Sequence, residues 1–246
     1  MAEKDVSKAA EPPKPVHIGG ESLVDRLLPH MKQIIIAIAV VSVVLVVIFT
    51  IRWFRESRQI DETKKLDEVL TVAREPIRPK DEKPDPQKPS FGDPKERGQA
   101  VLAEIAKHGT GVASHAFRGG ELMDAGKIDD AIAEYRQGTG DKTIEGVLCR
   151  EGLGLALEAK ALAEKDNAAR QKGLEEALAA FTAMQPDEAG LRRAYALYHQ
   201  GRILDKQLLG KPAEARARFE KAKAAIKSDD DLGRLIDKRL AALGAS

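Results

Sequence analysis

Three stretches of eleven residues align without a gap: 128–138 (IDDAIAEYRQG), 174–184 (LEEALAAFTAM) and 212–222 (PAEARARFEKA). Each carries alanine at its fourth position and an aromatic residue at its eighth, giving the couples Ala131/Tyr135, Ala177/Phe181 and Ala215/Phe219. Three residues further on stand Gly138, Met184 and Ala222. Steps of four and three keep all these positions on one face of an α-helix. Upstream of each stretch a glycine recurs, at Gly119, Gly154 and Gly201. A glycine or alanine at a helix crossing lets two backbones approach, and an aromatic one turn later fills the space where they diverge. The pattern predicts three helix pairs, each joined by a close small-residue crossing.

The surrounding composition agrees. The chain has 246 residues, 43% apolar and 32% charged, with only ten aromatics. From Gly98 onward Ala, Leu, Glu, Lys and Arg dominate, which are the strongest helix formers. Helices are expected within 111–127, 128–138, 145–165, 174–186, 192–208, 212–226 and 229–246, separated by Gly or Asp turns. In the last segment Leu232, Leu235, Ile236, Leu240 and Leu243 form one amphipathic stripe behind an Asp-rich start suited to N-capping. The fold class that follows is all-α, and about 150 residues suffice for an independent core.

Upstream lies a different kind of segment. Residues 34–51 (IIIAIAVVSVVLVVIFTI) run for eighteen positions without a charge. As a helix they span about 27 Å, close to the hydrocarbon thickness of a bilayer. Arg52-Trp53-Phe54-Arg55 follows at the depth where an interface is expected. A cleaved signal peptide would have a shorter apolar core and a small-residue cleavage site, where this chain has Arg-Trp-Phe-Arg. The domain plan is a disordered tail (1–32), a transmembrane helix (33–54), a juxtamembrane helix (55–75), a linker (76–97) and a helical domain (98–246). The linker region holds six of the twelve prolines between Pro76 and Pro94. That density predicts a semi-extended spacer without helix, holding the domain away from the bilayer. Flanking charge counts Lys14, Arg26 and Lys32 before the span against Arg52, Arg55, Arg58, Lys64 and Lys65 after it. Such a count favours a cytoplasmic C-terminal side, but long following domains cross largely regardless of charge.

The glycine, alanine and aromatic positions, with the turn glycine Gly126 in DAGKIDDA, resemble the tetratricopeptide repeat. Repeat two keeps Gly154, Ala177 and Phe181; repeat three keeps Gly201, Gly210, Ala215, Phe219 and Ala222. The aromatics recur after 46 and then 38 residues, longer than the usual repeat, with the excess in AEKDNAARQKG and LLGKP. Arg118, at a normally apolar position, and the missing terminal proline of repeats one and three depart from the pattern. The whole layout, with its span ending in Arg-Trp and the closing DKRLAAL helix, resembles the bacterial ancillary SecYEG translocon subunit family. The long proline spacer is atypical of that family. The resemblance implies a short solenoid of about three helix pairs and a capping helix, on a single-span inner-membrane anchor with its repeats in the periplasm. It implies a protein-binding scaffold assisting translocon-associated or periplasmic proteins. A cytosol-facing docking receptor is the alternative. Carried onto this chain, groove-facing positions include Ala116, Met123, Leu148, Glu151, Leu155, Tyr195, Tyr198, Arg202 and Asp205. Partner binding is assigned to Met123, Leu148, Leu155, Tyr195, Tyr198, Arg202 and Asp205, with Tyr and Arg favoured at binding hot spots. A peptide segment or one helix is the expected ligand.

Other chemistries find little support. Forty Lys+Arg against thirty-nine Asp+Glu leave no basic excess for nucleic acid. The single Cys149 cannot build a disulfide or a Cys-rich zinc site, and reads as a small buried residue. The five histidines show no H-E-x-x-H motif, and LLGKPAEA has proline where a P-loop needs Ser or Thr. Gly152-x-Gly154 lies inside a helix, as packing rather than a phosphate cradle. No enzymatic activity, cofactor, metal or small-molecule substrate is expected.

Overall fold

The computed structural model describes residues 30–79, 81, 83, 90–226 and 230–244. The expected disordered tail falls largely outside these residues, as does Asp229 of the expected Asp-rich helix start. The described chain is all-α, with nine α-helices and two compact units, one up to Ile60 and one from Asp61 onward.

The first unit is dominated by α1 (Met31–Arg74), a helix of 44 residues. Its apolar window has a mean hydropathy of 3.4 and none of it is buried, so α1 is long and apolar enough to cross a membrane. Ile35, Ile36, Ile38 and Ile48, which point to different sides of the helix, all stand exposed. An apolar surface without a protein partner over that length is a liability in water and suits hydrocarbon. Thr50 donates its hydroxyl to the Val46 carbonyl at 2.7 Å, satisfying a polar group inside the apolar run. Helix continues without interruption into the charged stretch after Arg55.

In the second unit the chain forms α2 (Pro94–His108), a 3₁₀ turn (Thr110–Val112), α3 (His115–Asp124), α4 (Ile128–Gly138), α5 (Ile144–Ala163), α6 (Asn167–Met184), α7 (Arg193–Leu204), α8 (Pro212–Ala225) and α9 (Asp230–Gly244). Two expectations are corrected here. The described ends of the linker meet instead of standing apart: Arg78 N–H donates to Phe91 O at 2.9 Å and Phe91 N–H to Pro76 O at 3.0 Å. Helix α2 starts inside the assigned linker, because proline is tolerated at the first helical position and Asp93 caps the Glu96 N–H at 2.7 Å. Val101 and Ile105 of α2 bury against Val69 of α1 and Ala113 as a small satellite core.

The remaining helices stack in chain order. Each of α3 to α9 packs mainly on its sequence neighbours, with α3 also touching α5, the arrangement of an open stack of helix pairs. Tyr135 sits between Gly119 of its own pair and Gly152 of the next; a Cβ on either glycine would lie 2.4 Å or 2.3 Å from the ring. Phe181 covers Gly154 and Phe219 covers Gly201 in the same way, at 2.5 Å and 2.7 Å. Phe181 and Phe219 have no solvent exposure, and Ala131, Ala177 and Ala215 are buried beside the rings. Gly126 and Gly210 turn the chain at φ +74° and +68°, the left-handed region that favours glycine. In α9 the predicted stripe narrows: Leu232, Ile236 and Leu243 are buried, whereas Leu235 is exposed because its step of three from Leu232 carries it off the contact face.

Adjacent glycines in α3 offer a clean test. Gly119→Ala forces a methyl against Tyr135, an overpacking cost of about 1–3 kcal/mol that exceeds the helix-propensity gain of about 1 kcal/mol. Gly120→Ala meets only the Tyr135 hydroxyl at 3.9 Å and keeps that gain. Thermal unfolding should show a lowered midpoint for the first variant and a raised one for the second.

Candidate functional site

Helices α3, α5 and α7 are the first members of their pairs, and their side chains meet across one face. Behind them, α4 and α6 spread apart and leave a cleft of about 360 Å³ lined by Ile132, Leu157, Ala161 and Gly173 with charged residues at its rim. In a stack of helix pairs the face built from the first helices is the inner one.

Along this face α5 places Leu148, Glu151, Leu155, Glu158 and Leu162 at alternating steps of three and four, which is one continuous row. The leucines protrude, with Leu148 36%, Leu155 38% and Leu162 49% exposed. The two glutamates are buried, because α7 reaches over to them. Arg192, just before α7, donates through Nε to Glu151 Oε2 at 2.7 Å and through Nη2 to Oε1. His199 Nε2 lies 3.3 Å from Glu151 Oε1, and its ring stacks on Phe181 at 4.7 Å between centroids. Arg202 forks onto Glu158, with Nη2 to Oε2 at 2.6 Å. A planar guanidinium holding both carboxylate oxygens gives a strong, directional pair. The row is therefore an apolar ridge alternating with an ionic seam that ties consecutive pairs together.

Burial pushes the Glu151 carboxyl up, but hydrogen bonds from His199 and Arg192, reinforced by their charge, outweigh it and hold it below the ordinary carboxylate range. Cys149 lies fully buried on the neighbouring face, where a Cβ on Gly138 would meet its sulfur at 2.3 Å. Burial, then the Glu145 carboxylate, pushes this thiol up to about 12. Arg118, the departure from the repeat pattern, turns its guanidinium to the Ala113 carbonyl at 2.7 Å and to Glu134, which also takes His115 at 2.6 Å. An ion-paired cap for the 3₁₀ turn thus stands where an apolar contact was expected.

The residues assigned to partner binding divide into groups. Leu148 and Leu155 lie on the exposed ridge. Met123 is half-buried against the main core. The Tyr195 ring lies under the Arg192 guanidinium at 4.3 Å, and Tyr198 tilts onto Phe219 at 5.9 Å. Arg202 is engaged by Glu158, and Asp205 faces Arg239 of α9 at 3.7 Å. The pairs Glu151–Arg192 and Glu158–Arg202 were not anticipated. Their only trace in the sequence is shared phase: glutamates seven apart on α5, and Arg192 and His199 seven apart around α7. No family model matches this chain, and no curated protein or solved structure compared with it is similar.

A folded pKa below the unfolded one means that Glu151 stabilises the fold above about pH 4.5 and loses that contribution as pH falls through the folded value. Glu151→Gln should lower the thermal midpoint at pH 7 and flatten its decline between pH 5 and pH 3 relative to the parent (order-of-magnitude window, about two units). Equal slopes would contradict the assignment. Native Cys149 should not react with a thiol reagent at about pH 8, and should react stoichiometrically once denaturant unfolds the domain.

Proposed function

We propose that this chain is a membrane-anchored protein-binding scaffold whose helical-pair domain takes a peptide segment or a single amphipathic helix on the inner face of the stack. The observation that carries the reading is the ridge of Leu148, Leu155 and Leu162, exposed beside glutamates whose charges are already satisfied. Apolar side chains presented at steps of seven fit the i, i+3, i+4, i+7 anchors of an amphipathic helix laid in a groove. Arg192 and Tyr195 at the rim add a flat cation–aromatic surface of the kind enriched at binding hot spots. Burying the ridge costs no unpaired charge, since each carboxylate keeps its arginine.

The resemblance to tetratricopeptide proteins of the ancillary SecYEG translocon type supports a bacterial inner-membrane location with this domain in the periplasm. There it would hold or recruit proteins emerging from the translocon, or periplasmic chaperones. A cytosol-facing docking receptor is the second reading, favoured by five cations after the span against three before it. Protease treatment of spheroplasts separates the two: digestion of the domain from outside supports the first.

A photo-crosslinking residue at Leu148 or Leu155 in intact membranes should yield protein adducts that the same residue at exposed Glu175 of α6 does not. Adducts to translocon or periplasmic components support the envelope reading, and adducts only to cytoplasmic proteins support the receptor. Equal labelling from all three positions would overturn the inner-face docking surface.

A further inference from the structure

One cluster in the second unit lies away from the ridge and takes no part in that reading. Glu104 and His108 stand one turn apart on α2, and Glu68 reaches them from the C-terminal part of α1. His108 Nε2 is 2.9 Å from Glu68 Oε2 and 3.3 Å from Glu104 Oε1. The other Glu104 oxygen is occupied by Lys107 Nζ at 2.6 Å, which leaves Oε1 turned to the cluster. All three ligand-type atoms lie within 4.8 Å of one another.

These contacts are poorly aligned for ordinary hydrogen bonding. Nε2 is buried and has no aligned hydrogen-bond partner, although two carboxylate oxygens crowd it. A ring nitrogen carries one proton or one lone pair and cannot align well with two acceptors at once. Donor atoms that sit close without pointing at each other are what neighbouring ligands of a third atom look like. For metal–ligand bonds of about 2.0–2.1 Å, ligands on a tetrahedral ion stand about 3.3 Å apart and on an octahedral ion about 2.9 Å. The observed 2.9 Å and 3.3 Å lie in the range these geometries span, close enough for the three groups to face one ion.

We propose that Glu68, Glu104 and His108 form a binding site for a first-row divalent metal ion, zinc foremost. An imidazole nitrogen with two carboxylates suits zinc, whereas calcium and magnesium take oxygen donors. Water completes the coordination, since Glu68 is exposed. The site borders the satellite core of Val69, Val101, Ile105 and Ala113, which is small, so an ion there fastens residues 61–74 of α1 to α2. Two helices that share few buried contacts gain from such a clip, because binding free energy becomes folding free energy.

The test uses the full chain, purified in detergent with a tag free of histidine and titrated with zinc against a chromophoric chelator. One zinc per chain is expected, with a rise in thermal midpoint and, on substitution by cobalt, a visible d–d absorption. His108→Ala and Glu104→Gln should each weaken zinc binding at least about tenfold, since even indirect supporting groups cost that much. Glu68→Gln, at an exposed position that leaves packing intact, should do the same while preserving the helical circular dichroism. His115→Ala should leave zinc binding unchanged. Absence of binding at about 100 µM zinc, or affinity untouched by Glu68→Gln and His108→Ala alike, would overturn the site and leave the cluster as an ion pair only.

Discussion

A ring set into a glycine notch is the contact on which the helical domain depends. Tyr135, Phe181 and Phe219 each occupy the volume that a Cβ would need on the crossing helix, so the backbones come closer than any larger residue allows. Two of the rings also work outward. Tyr135 meets Gly152 of the next pair and Phe181 stacks on His199 of α7, whereas Phe219 stays within its own pair, against Tyr198. In the first two pairs one buried side chain thus sets both the geometry within the pair and the join to its neighbour. In a stack with mainly nearest-neighbour contacts, order is transmitted through such joins and through little else.

The joins also explain why the inner face carries charge. His199 packs its ring on Phe181 and presents Nε2 to Glu151, which Arg192 grips from the other side. The apolar core and the ionic seam are therefore connected through one imidazole. Glu158 with Arg202 repeats the arrangement two turns further along α5. Because the seam absorbs its own charges, the leucines between them remain the chemically available part of the face. Helix ends are treated with the same economy: Arg150 bonds the Met184 carbonyl at 3.2 Å and the Thr139 carbonyl, and Gln200 bonds the Phe181 carbonyl at 3.1 Å. Carbonyls left over at the ends of α4 and α6 are thereby satisfied by side chains of α5 and α7.

The first unit presents a different kind of surface. Around α1 the apolar side chains are uniformly exposed, with no amphipathic preference for a side. Beyond Arg55 the same helix turns charged, and its last turns bury Val69 against α2 within the second unit. A proline-dense segment follows, yet its described ends pair through Arg78 and Phe91. Proline composition predicts where regular structure stops, but is silent on whether the two ends of the interruption meet, because that depends on what flanks them.

Periodicity in the sequence was enough to determine the all-α class, the apolar span and the three ring-and-glycine crossings, since each is a local pattern with a fixed geometric consequence. It also determined the burial of Cys149, a small residue in phase with the core. The extra helix α2 was hidden by its opening proline. The salt bridges from α5 to α7 and the Glu68–Glu104–His108 cluster were decided only by tertiary structure. Partners on different helices lie 36 to 48 residues apart, and a charged side chain on a helix surface looks the same in sequence whether it meets water or an opposite charge on another helix. Apolar burial leaves a periodic imprint because every turn of a helix must satisfy it; pairing between charges leaves none, because it is satisfied once, in space.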